Sequence, residues 1–182
     1  MSIENGHFSA AVPVPEPQHS ADERKKIEEL SIIGHSQLWS SGFYVRIFSA
    51  VSSRGPRKPE ECVVLVVEDD EGTADTIVKV LERSGYRTRR ARNRAETAAG
   101  LTANPAPDLV LMDVMLPDAH GFDFLNRIRK HPDLKEIPVV MLTSLSDRES
   151  VAKGLALGAD GYLSKPVPPK TLMEAVNVIL SR

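Results

Sequence analysis

The chain contains a single cysteine, Cys62, in 182 residues. One thiol excludes an internal disulfide and a zinc site built on cysteines. Long apolar runs are also missing. Val63–Val67 and 138–142 are among the longest, and both fall far short of the ~20 residues that span a bilayer. Charge of either sign is in little excess: 23 Lys and Arg face 25 Asp and Glu, leaving a formal net charge of −2. No basic surplus is present to attract nucleic acid or an anionic membrane. The opening MSIENGHFSA has neither the basic start nor the apolar stretch of a secretory signal. These absences set the expectation of a cytoplasmic, reduced setting without membrane insertion. At this length the chain holds one domain with a sizeable core plus an appendage, rather than two full domains.

Two regions differ in character. Residues 1–60 form an N-terminal extension and linker. It begins Pro-rich (VPVPEPQHS) and is expected to be partly disordered. A short helix is expected near 21–33: Ser20 and Glu23 have capping-box spacing, Ile27 and Leu30 share a face, and Gly34 can stop it. FYVRIFSAV (43–51) reads as a strand with a poor pattern, and SSRGPRKPEE reads as a linker. With little apolar material, this region either docks on the second or stays mobile. His35, in IGHSQLWSSG, has the glycines and serines of a loop around it rather than the long helix of a phosphotransfer histidine.

Residues 61–182 alternate short apolar runs with helix-period segments: VVLVV, YRTRRAR, DLVLMD, IPVVMLTS and GYLSK, each followed by a helical pattern. Five β-α units imply a parallel sheet covered on both faces. The first, third and fourth strands are nearly continuous apolar runs, as doubly buried strands are. The second and fifth are polar or mixed and belong at the edges. The expected order is therefore 2-1-3-4-5, a flavodoxin-like doubly wound (βα)5 sheet of the α/β class.

In such sheets ligands bind outside the carboxyl ends of the strands, where the chain reverses direction. The first strand ends in Glu68-Asp69 and the third in Asp113, so three carboxylates converge there. The fourth strand brings Thr143 and Ser144 to the same edge, and the fifth brings Lys165. Converging carboxylates either take up protons or bind a cation, and hard oxygen donors with room for water suit Mg²⁺. A hydroxyl and an ammonium opposite the metal would hold the remaining oxygens of a phosphoryl group. A carboxylate can itself be the nucleophile and become an aspartyl phosphate. Taken singly, each residue has a plainer reading as a helix cap or a solvated turn; their arrival at one edge points to phosphoryl transfer.

The motifs LVVEDD, LVLMDVMLPDAHG, VVMLTS and GADGYLSKP resemble the receiver domain of two-component response regulators over roughly 63–182. The spacing agrees too: Thr143 lies 30 positions beyond Asp113, and Lys165 lies 52 beyond it. The resemblance implies that Asp113 is the phospho-acceptor. It implies that Asp69 and Asp113 bind Mg²⁺ (or Mn²⁺) directly, with Glu68 acting through a water and the backbone carbonyl of Met115 completing the protein ligands. Lys165 would pair with the phosphoryl group, with a cis peptide before Pro166. Thr143 would be the switch hydroxyl, and Tyr162 the aromatic that turns inward when Thr143 is drawn toward the phosphate.

Register decides which of four consecutive acids, Glu68 to Glu71, form the metal pair. In receivers the glycine ending the first helix lies 17 positions beyond the first acid, and counting back from Gly85 gives Glu68. Glu68-Asp69 is therefore preferred, with Asp70 as the alternative. Two departures from the family pattern are Val167, where an aromatic is frequent, and Ser144, where a small residue is frequent. Ser144 is expected to affect water access and phosphoryl lifetime.

The resemblance implies a phosphorylation-controlled switch that is not an enzyme beyond catalysing its own Mg²⁺-dependent phosphorylation and dephosphorylation. A histidine kinase or phosphotransfer protein would supply the phosphoryl group. The face of the fourth helix, fifth strand and fifth helix would then bind an output protein or a second copy in a homodimer. With only two residues after Leu180, no direct DNA binding is expected. The alternative is a phosphorylation-independent interaction module of the same fold. An aspartate-nucleophile phosphatase lacks support, because Asp113 is followed by Val114 and Met115 rather than by an Asp-x-Asp.

Overall fold

The run Val63–Val67 has no polar residue to turn outward, so a strand built from it must be covered on both faces. The computed structural model describes residues 42–45, 57–144 and 148–180, together with six helical positions between 21 and 29. In it, all five residues of this strand are buried. We number the strands β1 (Phe43–Val45), β2 (Val63–Val67), β3 (Arg87–Ala91), β4 (Leu109–Asp113), β5 (Met115–Leu116), β6 (Ala119–His120), β7 (Val139–Thr143) and β8 (Gly161–Ser164). The helices that follow them are α1 (Glu71–Arg83), α2 (Arg94–Thr102), α3 (Gly121–Lys130), α4 (Arg148–Ala156) and α5 (Pro169–Leu180). Ala21, Asp22, Lys25, Lys26, Glu28 and Glu29 are helical. Ser20, Glu23, Ile27, Leu30, Gly34 and His35 lie outside the described residues, as do 46–51 of the strand expected over 43–51.

The main sheet runs β1-β8-β7-β4-β2-β3. Its five parallel strands, β3-β2-β4-β7-β8, have the doubly wound order 2-1-3-4-5 expected from the alternation of apolar and mixed strands. One expectation needs correcting. β8 is not a free edge, because β1 from the N-terminal extension pairs with it antiparallel and makes a sixth strand. The mixed sequence GYLS suggests an edge strand, but a polar pattern cannot tell whether a distant segment covers that edge.

Side chains alternate across the sheet, and each face has its own core. Val64, Val66, Leu111 and Leu142 meet Ile77 and Leu81 of α1 and Leu172 and Val176 of α5. Leu65, Met112, Met141 and Tyr162 meet Leu101 of α2, Phe122 and Leu125 of α3, and Val151 and Leu155 of α4. α1 and α2 start where their sequences provide caps. Asp70 Oδ1 accepts the Thr73 N–H at 2.7 Å, and Asn93 Oδ1 accepts the Glu96 N–H at 3.0 Å. No helix among the described residues is long and apolar enough to cross a membrane.

Candidate functional site

β2 and β4 are neighbours in the parallel sheet, with Val67 opposite Met112, so their ends deliver Glu68 and Asp113 side by side. Glu68 is buried, and its N–H bonds the Ala91 carbonyl at 2.9 Å, which prolongs the pairing with β3 past the end of the strand. Asp113 closes β4 and is also buried. Its Oδ1 accepts the Met115 N–H at 3.1 Å, so the turn entering the β5–β6 hairpin orients the carboxylate. Gly121, at the start of α3, lies hard against it. A Cβ there would stand 2.2 Å from the Asp113 carbonyl oxygen, so only glycine lets the helix begin this close to the acid.

Lys165 follows β8, and its N–H donates to the Thr143 carbonyl at 2.8 Å. The Lys165–Pro166 peptide is cis. From there the ammonium meets Asp113 Oδ2 and Glu68 Oε2, both at 2.6 Å. Thr143 closes β7 and is buried; Ser144, next to it, is exposed at the rim.

The four acids separate by geometry. Carboxylate oxygens of Glu68, Asp69 and Asp113 lie within 4.8 Å of one another. Asp70 instead caps α1, and its bonds to Thr73 hold its carboxyl below the usual range. Glu71 opens α1 and pairs with Arg92 at 2.6 Å. The structure thus gathers Glu68, Asp69, Asp113 and Lys165, and sets Thr143 and Ser144 at the same sheet end. The Met115 amide is joined to Asp113.

Three carboxylates face one ammonium, so the cluster is short of positive charge. Burial pushes the Glu68 carboxyl above the ordinary glutamate range, and the charge of Asp113 adds to this. Burial alone would pull Lys165 down, but its hydrogen bonds and charge attraction to Asp113 and Glu68 outweigh that and hold it raised. Glu68 Oε2 is enclosed and has no hydrogen bond of regular geometry, only the ion pair with Lys165. A buried, under-satisfied carboxylate oxygen beside two other hard oxygen donors fits a small divalent cation.

Tyr162, in β8, is buried completely, and its hydroxyl donates to the Ser150 carbonyl of α4 at 3.4 Å. Gly154 makes the space, since a Cβ there would lie 1.5 Å from the Tyr162 hydroxyl. Burial holds the phenol far above its usual range, so it acts only as a neutral group.

Several contributors are not assigned from sequence. Gly121 and Gly154 act by lacking a side chain, and only tertiary contact shows what they admit. Asp118 accepts the Arg94 N–H at 2.9 Å and ties the β5–β6 turn to α2. The only sequence signal is that these residues stand near Asp113 and Tyr162.

The fold, the sheet-end acids and the lysine define a receiver, and comparison with known proteins agrees. The chain belongs to the response regulator family of two-component systems: residues 64–177 match the response regulator receiver domain. Over 119 residues it is 35% identical to the phosphate regulon transcriptional regulatory protein PhoB of Escherichia coli, covering 65% of this chain and 52% of that protein. It is 37% identical over 119 residues to the transcriptional regulatory protein GltR of Pseudomonas aeruginosa, covering 65% and 49%. The chain thus spans about half the length of these relatives. Among solved structures, the chemotaxis response regulator CheY4 of Vibrio cholerae matches with a TM-score of 0.60 at 31% identity, over 65% of this chain and 98% of that one. The non-phosphorylated HemR receiver domain of Leptospira biflexa matches with a TM-score of 0.60 at 34% identity, over 66% and 95%.

Proposed function

We propose that the protein is a phosphorylation-dependent switch whose phospho-acceptor is Asp113. The observation that carries this reading is Lys165 Nζ held 2.6 Å from Asp113 Oδ2 and from Glu68 Oε2, with Asp69 alongside. An Asp113 carboxylate oxygen attacks the phosphorus of a phosphohistidine on a histidine kinase or phosphotransfer protein. The new P–O bond forms as the P–N bond breaks, and the imidazole leaves with its electron pair. Lys165 offsets negative charge on the phosphoryl oxygens. Asp69, Asp113, the Met115 carbonyl and, through water, Glu68 are the groups that would hold Mg²⁺ or Mn²⁺. When bound, the cation neutralises charge on the phosphoryl oxygens and helps to position them.

The Thr143 hydroxyl then turns toward the phosphoryl group, and the inward position of Tyr162 is favoured, shifting a pre-existing equilibrium. The protein works as a switch in the cytoplasm, without catalytic turnover as its purpose. Its output is a protein contact, with a partner or a second copy, on the face of α4, β8 and α5, to which β1 adds the outermost strand because it covers the β8 edge. The transcriptional role in the relatives' names belongs to proteins of which this chain spans half, and is not carried over.

Incubation with acetyl phosphate and Mg²⁺, followed by intact-mass measurement, tests the reading. A single phosphoryl adduct is expected in wild type and none in Asp113→Ala. Wild type left unmodified by acetyl phosphate and by a phosphohistidine donor would sink the proposal and favour a phosphorylation-independent interaction module.

A further inference from the structure

The sheet edge beside Tyr162 is covered by the chain's own N-terminal extension. β1 pairs with β8 in the register Phe43↔Leu163, Tyr44↔Tyr162 and Val45↔Gly161. The Ser164 N–H donates to the Gly42 carbonyl at 2.9 Å, which extends the ladder by one position. Hydrogen-bonded and non-hydrogen-bonded pairs alternate in an antiparallel ladder, so Tyr44 and Tyr162, two positions on, form a hydrogen-bonded pair. Opposed residues share a face. Both tyrosines belong to the same buried cluster, Tyr44 at 5% exposure and Tyr162 at 0%.

The close approach of β1 depends on Gly161. A Cβ there would sit 2.6 Å from the Tyr44 carbonyl oxygen and 3.3 Å from Val45 Cα, and backbone atoms in a ladder have little room to yield. Tyr162 is therefore enclosed from two sides. Its hydroxyl reaches inward to Ser150 beside Gly154. Turning outward past the edge would carry the ring over the neighbouring strand on the same face, where Tyr44 lies.

We propose that Tyr44 is a positioning residue for the switch: it closes the edge beside Tyr162, holds that ring inward, and couples the seating of β1 to phosphorylation of Asp113. This rests on the roles given above to Asp113 and Tyr162. Coupling between two equilibria is reciprocal. A seated β1 favours the inward ring and with it the phosphorylated form, and phosphorylation seats β1 more firmly. A strand that merely shields a sheet edge from aggregation would show neither effect.

The test uses the full chain as wild type, Tyr44→Ala, Tyr162→Ala and the double variant, with acetyl phosphate and Mg²⁺ as the probe. Intact mass gives the phosphorylation rate, and amide hydrogen exchange follows the segment containing Tyr44. Phosphorylation of wild type is expected to slow exchange of that segment at least about five-fold. Tyr44→Ala should slow phosphorylation several-fold, and should have no further effect once Tyr162 is alanine. Gly161→Ala, which displaces β1 and Tyr44 with it while leaving the tyrosine side chain unaltered, should reproduce the Tyr44→Ala result, so the outcome does not hang on one variant folding. Equal effects of Tyr44→Ala in both backgrounds, or β1 exchange unchanged by an adduct that does form, would overturn the coupling and leave β1 as an edge cover. Absence of an adduct in wild type is a separate result, which removes the reading of Asp113 and this proposal with it.

Discussion

Asp69 and Asp70 are neighbours, alike in chemistry and both exposed, yet one faces a cluster of acids and the other faces a helix. That difference is open to test by substitution. Asp69→Ala removes one charge from a repelling trio, so the metal-free protein should melt no lower than wild type. Mg²⁺ is expected to raise the melting temperature of wild type by an amount that grows with free metal by mass action, and in this variant that rise should be largely lost. Asp70→Ala should do the reverse, keeping the Mg²⁺ effect and lowering stability through loss of the cap. Its pH dependence follows from the lowered folded pKa of Asp70. Stabilisation by this carboxylate is complete above the ordinary value of 3.8 and disappears as pH falls through the lower folded value. The gap in melting temperature between wild type and Asp70→Ala should therefore be constant near neutrality and close in acid. Ser144 stands exposed beside buried Thr143. Ser144→Ala is expected to change the rate at which the phosphoryl adduct is lost, followed by intact mass; an unchanged rate would remove Ser144 from any role in water access.

At the scale of elements, strands and helices were largely legible because their periodicities differ so sharply. Val63–Val67, Leu109–Asp113 and Val139–Thr143 carry no outward polar positions, and each is wholly buried. The struts between elements were not legible. Arg129 of α3 donates to the carbonyls of Gly158 at 2.8 Å, Lys135 at 2.9 Å and Ile137 at 2.9 Å. It also pairs with Asp160 at 2.5 Å, whose carboxylate accepts the Val139 N–H at 2.8 Å. One guanidinium thus binds α3 to the loops entering β7 and β8. In sequence, Arg129 stands between Ile128 and Lys130 and reads as a solvated helix charge. Arg129→Met would remove the guanidinium that pairs with buried Asp160, at a cost of about 3 kcal/mol. Urea unfolding monitored by circular dichroism checks this; a loss under ~1 kcal/mol would show that packing holds the joint without the guanidinium's charge or its bonds to the carbonyls.

Over the whole molecule, the two cores on opposite faces of one sheet should unfold together, because β2, β4 and β7 contribute to both. Cys62 reports on this. It is buried just before β2, and burial, with the nearby charge of Asp108 adding, pushes its thiol up and away from the reactive thiolate. Labelling by a thiol reagent in native buffer should therefore be limited by unfolding, and should accelerate in Arg129→Met in step with its loss of stability. Fast labelling of wild type would show instead that β2 opens locally at its N-terminal end.

The sequence by itself determined the doubly wound sheet, the strand ends that carry Glu68, Asp113, Thr143 and Lys165, and the distances along the chain between them. Those follow from local periodicity, which is written in consecutive residues. Tertiary structure alone decided what depends on residues far apart meeting. It placed Gly121 against Asp113 and Gly154 against Tyr162, and seated β1 on β8 with Tyr44 opposite Tyr162. Hydrophobic pattern records which side of an element is covered but carries no label for what covers it, and a glycine that makes room looks the same in sequence as one that makes a turn.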